Sequence, residues 1–452
     1  MPRPRLRTDR RPRPPAEQTA LRQILLSSYL GGVIEWYDFL LYGTAAALVF
    51  DKLFFPQMSS FAGTLASFAT LAVGYLARPI GGLVFGHYGD RVGRKPVLMV
   101  SIVLMGLSSM LIGLLPGYAD IGIAAPLLLV LLRLVQGFAV GGEWGGAALM
   151  AIEHAGPARR GLWGAFAQMG APSGLLLSSL ALAAFNTLPE AEFLSWGWRI
   201  PFLLSAVLIV LGYWIRRGMA ESPVFARAQK SADTARRPAP VLETLRRQRR
   251  ITLLAIGVGI GPFATNSILI AFLPAHAKDL GISRTVVLTG LISSCGVSLL
   301  TLPAYAALSD RIGRRPVSIA GALLLAANSF LLFPLVDSRS PALFVIAFVL
   351  SLSVFHAAMY GPMAALLAEL FPTGTRYTGT SLGYQTAAVL GGSLAPLIAT
   401  WLVHTGEGGR NTTGVAVFMA VTCAVSAWSV YRAGETRHHA LDTAAEDGEQ
   451  LS

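Results

Sequence analysis

The chain has 452 residues, of which 54% are hydrophobic and only 13% are charged, whereas soluble domains carry about 25% charged residues. A soluble enzyme or binding module is therefore excluded, and the composition predicts a polytopic protein embedded in the lipid bilayer. The formal net charge of +12 would suit a nucleic-acid-binding protein, but 28 of the 36 Lys and Arg residues lie on one side of the predicted spans. This positive-inside distribution places both termini in the cytoplasm and argues against a nucleic-acid partner.

Twelve apolar segments approach or exceed the length of about 20 residues that a membrane helix needs. Their connections are short except for the basic segment 217–250. We therefore predict an all-α integral membrane protein of two six-helix bundles, 23–216 and 251–432, joined by 217–250 as a cytoplasmic linker and flanked by cytoplasmic tails 1–22 and 433–452. The predicted spans are 23–50, 62–86, 96–115, 124–152, 161–186, 197–216, 251–274, 285–308, 316–335, 341–369, 377–403 and 411–432.

The first 22 residues are rich in proline and arginine, a composition that is typical of a disordered tail, and no cleavage site marks them as a signal peptide. The two cysteines, Cys295 and Cys423, both fall within apolar spans. A disulfide framework or a metal site is therefore not expected, and we predict no cofactor.

The first span carries two acids inside an apolar segment. Glu35, Asp38 and Tyr42 follow i, i+3, i+7 spacing, so they share one face of a helix. An ionised acid facing lipid is costly, so this face should point into the bundle. Two carboxylates this close do not both ionise cheaply, which suggests a proton-carrying pair; the alternative is structural acids bonded to a neighbouring helix. Span two ends with Arg78, in ARPIGG, just before a basic loop.

Span four places a cation well inside the membrane. Arg133 is followed by Gln136 one turn later and by Glu143 further along. Burying an arginine at mid-membrane costs about 2.5–3.5 kcal/mol on insertion scales, so the residue requires an anion. That anion could be Glu35, Asp38 or a substrate carboxylate; a permanent salt bridge without a transport role is the alternative.

Spans seven to twelve contain no Asp, Glu, Lys or Arg in their predicted interiors. This asymmetry places ion coupling in the first half and leaves neutral contacts to the second. A lone His or Gln in a membrane is also often a packing residue, so both interpretations stay open. The candidate substrate-binding residues are Tyr42, Arg133, Gln136, Glu143, Gln168, Asn266, His356, Tyr360 and Gln385.

The chain contains an internal repeat. The loop GDRVGRKP at 89–96 recurs as SDRIGRRP at 309–316, and a Glu followed seven residues later by Arg occurs at 153–160 and again at 369–376. The offsets of 220 and 216 positions are close to half the chain, which predicts two parallel copies of six helices, an architecture of transporters. The alternative is a pair of basic turns that merely orient helices.

Several motifs resemble one known family. The repeated DRxGR[KR] loops and the RxxQG of span four resemble the major facilitator superfamily. More narrowly, GVIEWYDFLLYG, ARPIGG, QGFAVGGEWGG, WGWRIPF and ELFPTGTRYTGTSLGYQ resemble its metabolite:proton symporter family, which includes shikimate, citrate, 2-oxoglutarate and proline/betaine carriers. The resemblance implies the major facilitator fold in a bacterial inner membrane, working as a monomer. It also implies import of a small organic metabolite with the proton as coupling ion.

The resemblance also implies a conformational lock. In this fold the side chain of Asp90, which follows span two in the sequence, is close in space to the start of span eleven. Asp90 also pairs with Arg94, and Arg94 meets Glu153 at the end of span four. Ala306 stands where the repeated pattern has glycine, so we expect a relaxed helix crossing there and a smaller contribution from the second copy. The candidate lock residues are Asp90, Arg91, Arg94, Glu153, Asp310, Arg314 and Glu369.

Two other transport functions and two other classes of protein are alternatives to this interpretation. The segments GEWGGAALMAIE and FLSWGWRIPF most resemble the shikimate-like, organic-acid branch of the family. This resemblance makes a carboxylate the favoured substrate. A proton-coupled importer of betaine or proline is the next alternative, followed by an exporter. A membrane hydrolase is disfavoured because no HExxH and no cluster of His and Cys occurs, so we predict that the protein is not an enzyme; a non-transporting receptor is the last alternative.

Overall fold

The computed structural model describes residues 15–185, 188–230, 240–404, 412–439 and 441. These parts of the chain are helical without any strand, and twelve long helical segments dominate them. The segments are α1 (Pro15–Leu48), α2 (Ser60–Arg91), α3 (Arg94–Leu114), α4 (Ala124–His154), α5 (Arg160–Phe185), α6 (Glu190–Arg217), α7 (Arg249–Asp279), α8 (Arg284–Ile312), α9 (Arg314–Asp337), α10 (Pro341–Leu370), α11 (Arg376–Val403) and α12 (Thr412–Ala433).

These helices confirm the predicted all-α architecture. Within the described residues, ten segments are long and apolar enough to cross a membrane, including Leu21–Gly43 of α1. The other two, α2 and α5, are 32 and 26 residues long, and 26 residues rise about 39 Å as an α-helix. That length exceeds the hydrocarbon core of a bilayer, which is about 30 Å thick.

The glycine of each repeated DRxGR loop makes the turn between two helices. Gly93 joins α2 to α3 with φ of 123°, and Gly313 joins α8 to α9 with φ of 112°. Side chains with a Cβ rarely adopt this backbone conformation, whereas glycine does so readily. The loops can therefore be very short, and they hold the following Arg94 and Arg314 at the first positions of their helices.

Two predicted boundaries differ from the helices. α1 begins at Pro15, inside the segment predicted as a disordered tail, and the side chain of Leu21 packs in a buried cluster with Leu25 and Ala151 of α4. This burial explains why helix continues below the membrane span. The predicted linker contains the short helices Pro223–Lys230 and Pro240–Arg246. The predictions for 1–14, 231–239 and 442–452 concern residues outside the described parts of the chain.

The two halves, α1–α6 and α7–α12, contact each other mainly through α2 with α11 and α5 with α8. These two pairs are equivalent under the sequence repeat. The loops 87–95, 153–161, 309–316 and 369–377 lie together at one end of the molecule, which we call the basic face. The opposite end is called the distal face.

One stretch of α11 matches a hydrolase pattern by its letters alone. Residues 379–383 read GTSLG, the G-x-S-x-G of the nucleophile elbow, which requires a sharp turn between a strand and a helix. Here the stretch lies inside a continuous helix with Ser381 fully buried. It therefore lacks the geometry that exposes a nucleophile.

Candidate functional site

A pocket of about 240 Å³ lies within the first half, between α1, α2 and α4. It contains two acids, two arginines and one glutamine among apolar residues, and we call it the charged pocket. It brings together Glu35, Asp38, Arg133 and Gln136, which the sequence singled out separately. The lining residues are Glu35, Asp38, Phe39, Gly74, Arg78, Arg133, Gln136, Gly137 and Val140.

Asp38 is a fully hydrogen-bonded carboxylate. Ser205 of α6 donates to its Oδ1 at 2.6 Å, and Ser109 of α3 donates to its Oδ2 at 2.7 Å. The amide nitrogen of Gln136 donates to the Ser109 hydroxyl at 2.6 Å, and Arg133 donates to the Gln136 amide oxygen. A chain of hydrogen bonds therefore links the guanidinium of Arg133 to the carboxylate of Asp38 without direct contact.

Arg133 also lies against an aromatic ring. Its guanidinium carbon is 3.9 Å from the centre of the Tyr42 ring, a distance at which the ring face attracts a cation. The Tyr42 hydroxyl is 2.5 Å from that of Thr70. The Nε of Arg133 has no hydrogen-bond partner among the described residues, so the guanidinium keeps one donor unused.

Glu35 approaches a different cation, Arg78. The shortest distance between their charged atoms is 3.5 Å, and the second carboxylate oxygen of Glu35 has no partner in the described structure. The Arg78 guanidinium lies 4.6 Å from the ring centre of Tyr75 and 5.3 Å from that of Phe39. Arg78 was given no role from the sequence, although a cation in an apolar segment is the same signal that selected Arg133.

A larger space of about 460 Å³ lies between the two halves, and we call it the inter-half cavity. Predicted residues Asn266, His356 and Tyr360 line it, together with Ser298, which the sequence did not mark. Trp36 and Leu40 line its other wall, so α1 presents its acids to the charged pocket and its next face to the cavity. In the described chain no cluster of His, Cys, Asp and Glu has a metal-binding arrangement.

The polar groups of this cavity are partly engaged. The Nε2 of His356 is 3.1 Å from the Pro262 carbonyl, and the Tyr360 hydroxyl is 2.8 Å from that of Tyr384. Tyr384 in turn stacks on Trp144 of the first half with 3.4 Å between ring centres. The aromatic stack is therefore a contact between the two halves.

Three predicted substrate-binding residues lie elsewhere. Glu143 forms an ion pair with Arg216 of α6 and accepts a hydrogen bond from Ser101 at 2.7 Å. The amide oxygen of Gln168 accepts from the Trp144 indole, and its nitrogen donates to the Tyr360 carbonyl at 3.0 Å.

Gln385 donates to the carbonyl oxygens of Val140 and Gly141 at 3.2 and 3.4 Å. Gln168 and Gln385 therefore connect the two halves, and neither they nor Glu143 line the cavity or the charged pocket.

At the basic face, Asp90 contacts the first turn of α11. Its carboxylate accepts backbone N–H groups of Tyr377 at 3.1 Å and Thr378 at 2.9 Å, and the Thr378 hydroxyl at 2.9 Å. A helix N-terminus carries a partial positive charge that attracts a carboxylate. Arg94 lies 3.2 Å from Asp90 and 3.4 Å from Glu153, which is 3.2 Å from Arg376.

The second copy of the motif is built in the same way. Asp310 accepts the N–H groups of Gly161 at 2.8 Å and Leu162 at 2.9 Å, in the first turn of α5. Arg314 lies 2.6 Å from Asp310 and 3.2 Å from Glu369. Of the candidate lock residues, only Arg91 is exposed and lies outside these two networks.

The expectation of a relaxed crossing at Ala306 is wrong. A Cβ on Gly161 would lie 2.5 Å from the Ala306 carbonyl oxygen, so the helices are in close contact. Ala306 is the equivalent of Gly86, and three residues further on Gly89 lies against the ring of Tyr377. In the second copy Ser309 replaces Gly89 and Gly161 replaces Tyr377, so the glycine is on the opposing helix. The close approach of the helices is kept.

A further repeated pair of acids was not predicted from the sequence. Glu221 accepts the backbone N–H groups of Arg94 and Lys95 at 3.0 and 3.1 Å, and thereby caps α3. Glu435 caps α9 in the same way, accepting the N–H groups of residues 314 and 315 at 2.9 and 3.1 Å.

The residues that follow the capping acids also correspond. The hydroxyl of Ser222 donates to Glu153, and that of Thr436 donates to Glu369 at 2.7 Å. The signal was present in the sequence as Glu-Ser at 221–222 and Glu-Thr at 435–436, at an offset of 214 positions.

Comparison with known proteins identifies the family. Residues 24–242 match the family described as sugar (and other) transporter, and residues 263–451 match the major facilitator superfamily. The chain is 42% identical to the shikimate transporter of Escherichia coli over 90% of this chain and 93% of that protein. It is 41% identical to the inner membrane metabolite transport protein YhjE of the same organism, over 93% and 95%. The proline/betaine transporter of Escherichia coli is 33% identical, over 90% and 82%.

Solved structures match the fold at low sequence identity. The proton:xylose symporter XylE bound to 6-bromo-6-deoxy-D-glucose superposes with a TM-score of 0.76 at 18% identity, covering 96% of this chain and 99% of that one. The inward open conformation of the xylose transporter XylE from Escherichia coli gives 0.64 at 18% identity, covering 95% and 99%. With its fold and its relatives taken together, the chain belongs to the major facilitator superfamily, in the metabolite transporter group that the motifs predicted, and it is a multi-pass membrane transporter and not an enzyme.

Proposed function

We propose that this transporter imports a small organic carboxylate together with protons, by alternating access. The observation that carries the proposal is the pairing of two compartments on either side of α1: a buried pocket with two acids and two arginines, and a larger inter-half cavity with neutral polar groups. Proton coupling needs buried titratable groups, and a small metabolite needs a space shared by both halves. The 42% identity to a shikimate transporter supports a carboxylate of that class.

We propose that the basic face is cytoplasmic, with both termini on that side of a bacterial inner membrane, because Lys and Arg concentrate there. The contacts of Asp90 and Asp310 with the opposite half then close the cytoplasmic side. In this scheme the cytoplasmic side is closed, as in an outward-facing conformation. Both compartments are lined by this single chain, which is compatible with a working monomer.

In this scheme Glu35 and Asp38 carry the coupling proton. Asp38 accepts hydroxyl donors on both oxygens, so its anion is stabilised. Protonating Asp38 would remove the negative charge to which Gln136 and Ser109 connect the guanidinium of Arg133. Asn266, Ser298, His356 and Tyr360 are proposed to bind the neutral part of the substrate, because they line the inter-half cavity. Arg133 is the cation that was predicted from the sequence as a candidate to bind the substrate carboxylate.

The experiment uses the purified protein in proteoliposomes with a pH gradient, acidic outside. Labelled shikimate should accumulate, external medium should become more alkaline when shikimate is added, and a protonophore should abolish both effects. Citrate, 2-oxoglutarate and glycine betaine are tested in parallel, since the proline/betaine relative at 33% identity makes a zwitterion the second candidate. If no carboxylate accumulates and betaine does, the zwitterion function replaces the proposed one.

A further inference from the structure

Arg78 is the cation of the charged pocket whose N–H groups make no hydrogen bond to another described residue. It is 8% exposed, approaches Glu35 at 3.5 Å, and lies near the rings of Tyr75 and Phe39. By contrast, Arg133 donates to Gln136 and lies on the Tyr42 ring. A guanidinium carries five N–H donors in a fork that fits a carboxylate with two bonds. The donors of Arg78 are therefore available to a second carboxylate.

Glu35 is an equally incomplete anion. Its side chain is buried, and its Oε2 has no hydrogen-bond partner among the described residues. Asp38, one turn away, has a hydroxyl donor on each oxygen. Because the Glu35 anion is held by one long ion pair alone, it is the acid of this pocket that gives up its cation most easily.

Glu35 and Arg78 line the charged pocket, and Trp36, the residue after Glu35, lines the inter-half cavity. The charged pair and the cavity therefore lie on adjoining faces of α1. A substrate in the cavity is separated from the free donors of Arg78 by this one helix. Arg133 is further along the pocket, beside Tyr42 and the Asp38 chain of hydrogen bonds.

We infer that Arg78 binds the carboxylate of the substrate and that Glu35 is the internal carboxylate which the substrate replaces. This inference rests on the proposed carboxylate transport. A proton from the outside binds to the Glu35 carboxylate, and the neutral acid releases Arg78. The substrate carboxylate then pairs with Arg78, so the pocket keeps the same net charge. Proton and substrate bind together because one cation serves both carboxylates in turn.

The inference has a measurable consequence for binding. If one proton must bind with each carboxylate, the apparent Kd should rise up to ~10-fold per pH unit once Glu35 is ionised in the free protein. Other groups that face Glu35 are Tyr75 of α2, Glu143 of α4, Tyr360 and Tyr384. From α5, the residues packed against this part of α1 include Gly170 and Gly174, which carry no titratable group. Glu143 is held by Arg216, so Glu35 is the acid whose partner is exchangeable.

The test measures binding of shikimate to purified full-length protein from about pH 6 to about pH 9, where a normal carboxyl group is ionised. Wild type should show the pH slope. Glu35→Gln, in which Arg78 has no competitor, should bind shikimate at least as tightly and without the slope. Arg78→Lys and Arg78→Gln should weaken shikimate binding at least ~10-fold, as expected for losing a bidentate charged pair. They should leave binding of the uncharged methyl ester of shikimate unchanged.

Matched variants make the outcomes distinct. Arg133→Lys should preserve the pH slope, because Glu35 pairs with Arg78 and not with Arg133. The double variant Glu35→Gln with Arg78→Gln leaves no unpaired buried charge, so its weak shikimate binding cannot come from misfolding if it binds the ester normally. An unchanged slope in Glu35→Gln, or a normal shikimate affinity in Arg78→Gln, overturns the inference while carboxylate transport stands. Failure of wild type to bind any carboxylate overturns the proposed function and this inference with it.

Discussion

Asp90 and Asp310 make the same contact in opposite directions: each accepts two consecutive backbone N–H groups from the first turn of a helix in the other half. Asp90 reaches α11 from the first half, and Asp310 reaches α5 from the second. Each aspartate is held by the arginine four residues later in its own loop. The two contacts can form only when the halves meet at the basic face, so they stabilise that closed conformation selectively.

We predict that Asp90→Asn favours opening of the basic face without unfolding the protein. A carboxylate at a helix N-terminus contributes about 0.3–2 kcal/mol, and about 1.4 kcal/mol shifts a population ratio tenfold. Asp310→Asn should have the same direction and a smaller size, because Asp90 accepts an additional hydroxyl of Thr378. The measurement is labelling of single cysteines at the basic-face ends of α4 and α10, in a background lacking Cys295 and Cys423. Lower labelling in Asp90→Asn, or a larger effect of Asp310→Asn, would contradict the prediction.

Gly161→Ala should also open the basic face. The added methyl group would lie 2.5 Å from the Ala306 carbonyl oxygen, so α5 and α8 could not approach as closely. Gly296→Ala is the matched control, because it lies in α8 where an added Cβ meets nothing within 4 Å. Both substitutions gain the helix propensity of alanine, up to about 1 kcal/mol. The same labelling assay should distinguish them, and equal labelling in both variants would show that the close approach is unimportant.

Asp38→Asn should abolish uphill uptake while exchange of substrate across the membrane persists. Exchange needs no net proton movement, whereas accumulation requires an acid that binds and releases the proton. The amide cannot do so, and its nitrogen would face the Ser109 or Ser205 hydroxyl. Uptake and exchange are compared in proteoliposomes with and without a pH gradient, with Asp120→Asn on the exposed helix Tyr118–Ile121 as control. Accumulation by Asp38→Asn at the wild-type level would exclude this role.

Glu143→Gln should lower stability and leave substrate affinity unchanged. It removes the partner of Arg216, a fully buried cation, and breaking a buried ion pair costs about 3–5 kcal/mol. Thermal unfolding in detergent measures the first effect, and shikimate binding to the folded fraction measures the second. Combining Glu143→Gln with Arg216→Met should recover part of the lost stability. Weaker shikimate binding with unchanged unfolding temperature would instead support the substrate-binding role suggested by the sequence.

The sequence alone was sufficient to determine the membrane class, the helices and the repeat. Runs of apolar residues are a local property, and the bilayer requires each run to form a helix that satisfies its own backbone. The repeated loop could also be recognised from the sequence, because the turn itself requires glycine at Gly93 and Gly313. Glu221 and Glu435 belong to the same repeat. They could be recognised as a pair only after the structure showed that each caps the helix that follows a repeated loop.

The partners of the buried charges were decided by the tertiary structure. From the sequence, Arg133 was expected to face an acid or a substrate carboxylate, and Glu143 to bind substrate. In the structure Arg133 binds Gln136 and Tyr42, and Glu143 binds Arg216, the last residue of the sixth predicted span. A buried charge takes whichever opposite charge the helix crossings bring within reach, across separations such as the 73 residues between Glu143 and Arg216. The side that carries the glycine at each crossing is likewise set by packing, as Gly89 and Gly161 demonstrate.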